Sequence, residues 1–69
     1  VPGLLVRIRS KDPRYPIPVA EQLEDGAPVD LPTEAVGMVI SFMDRMSHAV
    51  VLTGGRVLRV HYSYIEDLP

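Results

Sequence analysis

Three apolar runs fill Val36 to Leu68 of this 69-residue chain, and Gly54-Gly55 separates the last two. A Gly-Gly pair supplies the positive φ that a two-residue hairpin turn requires. Counting outward from that turn sets Leu52 opposite Val57, Val51 opposite Leu58, Val50 opposite Arg59, Ala49 opposite Val60 and His48 opposite His61. A four-residue turn at Asp44-Arg45-Met46-Ser47 sets Met43 opposite His48, Phe42 opposite Ala49, Ser41 opposite Val50 and Ile40 opposite Val51. The stretch therefore predicts a three-strand antiparallel meander with two distinct faces.

One face collects Met38, Ile40, Phe42, Ala49, Val51, Leu58, Val60 and Tyr62, and is the expected core. The other collects Val39, Ser41, Met43, His48, Val50, Leu52, Val57, Arg59 and His61. An outward face of an antiparallel sheet is normally polar. Here Val39, Val50, Leu52 and Val57 make it apolar. A one-residue slip would exchange the two faces, so both assignments rest on the turns.

Upstream, Leu4, Val6 and Ile8 alternate with Leu5, Arg7 and Arg9, the period of a strand with one buried face. Pro13 ends it, because proline has no amide to donate. Residues 11–35 then form a connection of about 25 residues, far beyond hairpin length. Pro13, Pro16, Pro18, Pro28 and Pro32 hold much of it extended, and Ala20 to Gly26 has room for one helical turn. Tyr15, Ile17, Val19, Leu23, Val29 and Leu31 give this loop apolar side chains to cover. Beyond the meander, Tyr62 to Leu68 reads as a short turn and a closing strand end.

A chain of this size is one domain, residues 1–69, and its core is marginal. Small scaffolds need a staple, and with no Cys a disulfide is excluded. Oligomerisation or docking on a larger assembly is what remains. The formal charge of −2 is not that of a nucleic-acid-binding domain. No apolar run approaches the roughly 20 residues of a membrane helix, and no signal-peptide pattern is visible. The chain opens Val1-Pro2-Gly3 without Met, as a trimmed start would.

Few residues suggest chemistry. His48 opposite His61 resembles half a metal site, with Asp44 or Glu66 as the nearest third ligand by sequence, but we read the pair as two solvated surface histidines on a sheet face. Glu66-Asp67 is an acid pair without a cleft to separate its pKa values. No nucleophile-base set or phosphate loop is present. We therefore expect no enzyme, no cofactor, no metal and no small-molecule substrate. Val39, Val50, Leu52 and Val57 are the candidate protein interface, joined by Tyr15, Ile17, Val19 and Leu23 of the loop. Either the loop folds over this patch or another protein does. The alternative is a regulatory or nucleic-acid-associated barrel using Arg7, Arg9, Arg56 and Arg59, since the acids Glu21, Glu24, Asp25, Asp30 and Glu34 lie in the loop.

Four segments together have a familiar look: Gly3-Leu4-Leu5-Val6-Arg7-Ile8-Arg9, Gly37-Met38-Val39-Ile40, Val50 to Gly55, and His61-Tyr62-Ser63-Tyr64-Ile65-Glu66-Asp67-Leu68. The pattern resembles small SH3-like barrel proteins of tailed bacteriophages, cyanophages especially. It covers the first strand and the last half of the chain, but not residues 11–35. The resemblance implies an all-β SH3-like barrel. With the strands counted above, the expectation is a five-stranded, partly open barrel whose first two strands are joined by the long Pro-rich loop that the resemblance does not cover. It further implies a virion or host-cytoplasm location and a structural role, such as capsid decoration or tail joining. Peptide-binding barrels of this shape use exposed aromatics. This chain has no Trp and no Ala-Leu-Tyr-Asp-Tyr segment, leaving only Tyr62 and Tyr64 for such a groove.

Overall fold

The computed structural model describes residues 3–42 and 47–68. Among them are seven strands: β1 (Leu5–Ile8), β2 (Val19–Gln22), β3 (Pro28–Asp30), β4 (Ala35–Phe42), β5 (His48–Thr53), β6 (Arg56–His61) and β7 (Ile65–Asp67). A single 3₁₀ turn, Tyr62–Tyr64, links β6 to β7. The strands form one antiparallel sheet in the order β3-β2-β6-β5-β4-β1-β7. The all-β class is as expected, but the sheet is open, with β3 and β7 at its edges, and it has seven strands in place of five.

The two extra strands come from the Pro-rich connection. Val19 pairs with Asp30 and Ala20 with Val29, so part of residues 11–35 is a hairpin where a loop was expected. Gly26 closes it at φ 71°, accompanied by an Asp25 side chain that accepts from the Ala27 amide at 2.9 Å. That Asx turn uses the segment in which a helical turn was considered. β2 then pairs with β6, Glu21 against Arg59 and Gln22 against Leu58. Proline content deceived because Pro28 begins an edge strand, one of the few sheet positions that tolerates it.

The β5–β6 hairpin has the register read from the Gly-Gly turn, from His48 opposite His61 to Leu52 opposite Val57. Both glycines have positive φ, 59° and 76°. The β4–β5 pairing begins as expected, with Phe42 opposite Ala49 and Ser41 opposite Val50. It then shifts: Val39, and not Ile40, lies opposite Val51. A β-bulge at Ile40 adds one residue to β4 and reverses which side chains point inward. The expected core face is corrected accordingly. Val39 is 1% exposed, whereas Met38 and Ile40 are 39% and 41% exposed. The turn at residues 44–46 and the pairing of Met43 lie outside the described residues.

The core is made of Val6, Ile8, Ala20, Ala35, Val39, Ala49, Val51, Leu58 and Val60. Val29, Leu31, Tyr62, Tyr64 and Ile65 pack against it. β1 holds Val6 and Ile8 inward, as its alternation predicted, and its neighbours β4 and β7 set Ile8 opposite both Ala35 and Ile65. Gly37 also faces inward. A Cβ there would lie 2.5 Å from Val51 Cγ1 and 3.0 Å from the Leu52 carbonyl oxygen. Only hydrogen fits where β4 crosses β5 so closely. The buried Thr53 hydroxyl donates to the Val36 carbonyl at 3.0 Å, satisfying a polar group at the end of the same crossing.

Candidate interaction face

Because strand side chains alternate, the residues between the core positions share the opposite face. Leu5 lies opposite Met38, Met38 opposite Leu52, and Leu52 opposite Val57. Leu23 follows Gln22, whose partner is Leu58, and so continues the row beside Val57. Five apolar side chains thus follow one another across β1, β4, β5, β6 and the residue just past β2, about 19 Å measured along the sheet at the usual strand spacing. All five are exposed, as are Val36 and Ile40 next to the row on β4. Val50 is half-buried between Ser41 and Arg59 on the adjacent row.

The charges next to this face are largely spent on one another. Arg59 Nε donates to Glu21 Oε1 at 3.0 Å across the β2–β6 pair. The same oxygen is 3.8 Å from His48 Nε2. Arg9, just past the end of β1, reaches Glu66 on β7 through two contacts, at 3.1 and 3.2 Å, with Glu34 at 3.9 Å. Partial exposure keeps each such pair to about 1 kcal/mol or less. Of the four arginines considered for nucleic acid, Arg9 and Arg59 therefore face carboxylates. Arg7 and Arg56 have no ion-pair partner among the described residues, and they lie on β1 and β6, with β4 and β5 between them. The loop acids Glu21 and Glu34 return to the strands, so the sheet is not basic by itself.

His48 and His61 are opposite each other, their rings edge-on at 87° with centroids 5.0 Å apart. Each Nδ1 is engaged locally. Ser47 Oγ lies 2.9 Å from that of His48, and the Ser63 amide donates to that of His61 at 3.1 Å. Glu66, one of the two carboxylates considered as a third ligand, is with Arg9 instead, and Asp44 lies outside the described residues. Among the described residues no group of three His, Cys, Asp or Glu side chains is placed to hold a metal ion.

The expected interface residues divide. Leu52 and Val57 are exposed on the outer row, and Leu23 joins them. Val39 is buried and leaves the patch, because the bulge places it opposite Val51 in the core. Tyr15, Ile17 and Val19 are exposed, so they do not close over Leu52 and Val57 as a second small core. Leu5, Met38, Val36 and Ile40 belong to the face but were not expected in it. Leu5 carried a signal, since it alternates with the inward Val6 and Ile8 yet is apolar; Leu4, expected to point inward with them, is exposed and lies before β1 begins.

At the Leu23 end of the row an open cleft of 380 Å³ is lined by Gln22, Leu23, Glu24, Arg56, Val57 and Leu58. At the opposite end Leu5 is 51% exposed, the greatest exposure in the row. Comparison with protein-family models, curated proteins and solved structures found no match to this chain.

Proposed function

We propose that this chain is a non-enzymatic protein-interaction module that docks on a larger assembly through the outer face of its sheet. The observation that carries this reading is the exposed row Leu5, Met38, Leu52, Val57 and Leu23. Single exposed apolar residues are ordinary, but a contiguous set crossing four paired strands marks a contact surface. Its neighbouring ion pair, Glu21–Arg59, leaves little uncompensated charge to desolvate on docking. The pairing of Arg9 with Glu66 and of Arg59 with Glu21 supports a protein partner over a phosphate backbone, which needs free cations.

The kind of assembly follows from the sequence resemblance to small phage barrels: a virion, with the chain as a decoration or tail-joining component. The test is cosedimentation of tagged chain with intact virus particles from the lysate that produces it. Wild type is expected in the particle fraction. Leu52→Asp is expected to remain folded, since Leu52 is exposed, and to leave that fraction. Equal recovery of both proteins with the particles would remove the outer row from the docking surface. Absence of the wild type from particles would remove the virion assignment.

A further inference from the structure

We infer that His61 is a pH-sensitive catch on the last strand: its neutral imidazole caps the 3₁₀ turn that delivers β7 to β1, and protonation releases that turn. The inference concerns the edge of the sheet and is independent of what docks on the outer row. The first amides of a helical turn have no partner within it, and Ser, Thr, Asn or Asp side chains usually receive them. Here a histidine takes that place. The Ser63 amide donates to His61 Nδ1 at 3.1 Å, with Ser63 Oγ 2.9 Å from the same nitrogen. A backbone amide can only donate, so Nδ1 carries the lone pair and the proton of the neutral ring is on Nε2. An imidazolium has an N–H at both positions and no acceptor left. Unlike an asparagine or serine cap, this one exists only while the ring is neutral. Histidine is also the side chain that ordinarily gains its proton between about pH 5 and 8.

What the turn holds is β7. The Tyr62 amide anchors the turn by donating to the Ser47 carbonyl at 3.0 Å, and the Ile65 amide closes it on the Tyr62 carbonyl. The Arg9 amide then donates to the Tyr64 carbonyl at 2.8 Å, joining the end of β1 to the chain entering β7. β7 is three residues long and is paired on one side only, with β1. So short an edge strand depends on the turn that precedes it. The groups around His61 do not answer a charge placed on it. His48 of β5 lies edge-on with ring centroids 5.0 Å apart, so protonation of both rings sets like charges together. Behind His48, Glu21 Oε1 of β2 is 3.8 Å from His48 Nε2 and already accepts from Arg59 of β6. Among the described residues no carboxylate pairs with His61 itself. Asp44 and Arg45 lie outside the described residues.

Amide hydrogen exchange followed by NMR at about pH 5 and about pH 7.5, expressed as protection over the unstructured rate at each pH, reads the catch. The Ile65 and Arg9 amides are expected to lose protection about fivefold at the acid end, the scale of a lost cap, while amides of the β5–β6 hairpin keep theirs. His61→Asn supplies an acceptor that does not titrate, and should leave both amides equally protected at the two pH values. His48→Gln leaves the cap in place and should keep the wild-type response. Wild-type protection of Ile65 and Arg9 that is the same at both pH values overturns the inference. So does an acid loss shared by every amide, which is unfolding of the whole chain and not release of β7. A His61→Asn protein that still responds to pH, or a response abolished by His48→Gln, overturns it as well.

Discussion

Val39 sits directly opposite Val51 in the core, and Ile40, the next residue along β4, is the extra one that the bulge leaves without a counterpart on β5. The consequence is a sharp difference between neighbours. Val39→Ala removes two methyl groups from a site that is 1% exposed and should cost about 2 kcal/mol. Ile40→Ala removes more carbon from an exposed site and should cost about 0.5–1 kcal/mol. Urea unfolding of both variants checks the ranking. Equal costs, or the reverse order, would mean that β4 runs without its bulge.

Gly37 gives an independent check of the same crossing. Its missing side chain is what lets Val51 Cγ1 and the Leu52 carbonyl come so close to β4. Gly37→Ala forces the β4–β5 pair apart, since neither a backbone carbonyl nor a fully buried valine can withdraw cheaply. The expected loss is about 1–3 kcal/mol, the range for overpacking a closed core. In an open strand the same change would be stabilising, because alanine orders the unfolded chain less favourably for unfolding than glycine does. A rise in melting temperature would therefore contradict the crossing.

How far the sequence carried is explained by these two residues. The Gly54-Gly55 turn has a single sensible reading, so every pair of β5 with β6 followed from it, and with them the inward Ala49, Val51, Leu58 and Val60. β4 was joined by a turn that counting alone had to place, and nothing in Met38-Val39-Ile40-Ser41 announces an extra residue. All of these but Ser41 are apolar, so parity could not be read from polarity. The spacing Ala35, Gly37, Val39 did carry it: small residues at every second position mark the side where strands approach closely. The β2–β3 hairpin was hidden by its prolines, and the Glu21–Arg59 pair by a separation of 38 residues. The outer face was legible in part, through Leu52, Val57 and Leu23. Its extension to Leu5 and Met38 needed the order β1-β4-β5, which no local pattern encodes.

Asp12 and Arg14 offer a prediction in pH. The Arg14 side chain donates to both Asp12 carboxylate oxygens, at 3.3 and 3.2 Å, and its amide donates at 3.0 Å. These bonds, the side-chain bond first, hold the Asp12 carboxyl below its ordinary value of 3.8. A depressed carboxyl favours the folded state above its unfolded pKa, and that contribution disappears as pH falls through the lower folded value. The turn at residues 12–15 should therefore loosen only in the acid range below about 3.8. A carbon-detected NMR titration should show Asp12 protonating later than a free aspartate on the way down. Arg14→Gln should move it part of the way back, since the amide bond survives. Superimposable titrations of the two proteins would exclude the guanidinium as the cause.

Removing residues 16–31 tests whether the Pro-rich segment is an appendage or part of the sheet. As an arm it would be dispensable. The structure instead pairs β2 with β6 and buries Ala20 completely in the core. The deletion would strip the β6 backbone groups that face β2 near Leu58 and Arg59 of their partners and leave Arg59 without the Glu21 carboxylate. It would also turn an interior strand into a long edge with exposed apolar flanks, a template for association between chains. The expected outcome is loss of a cooperative thermal transition together with soluble aggregate on a sizing column. A sharp melt in a monomeric deletion variant would show that β1, β4, β5, β6 and β7 stand alone, and that the hairpin is carried by the fold without supporting it.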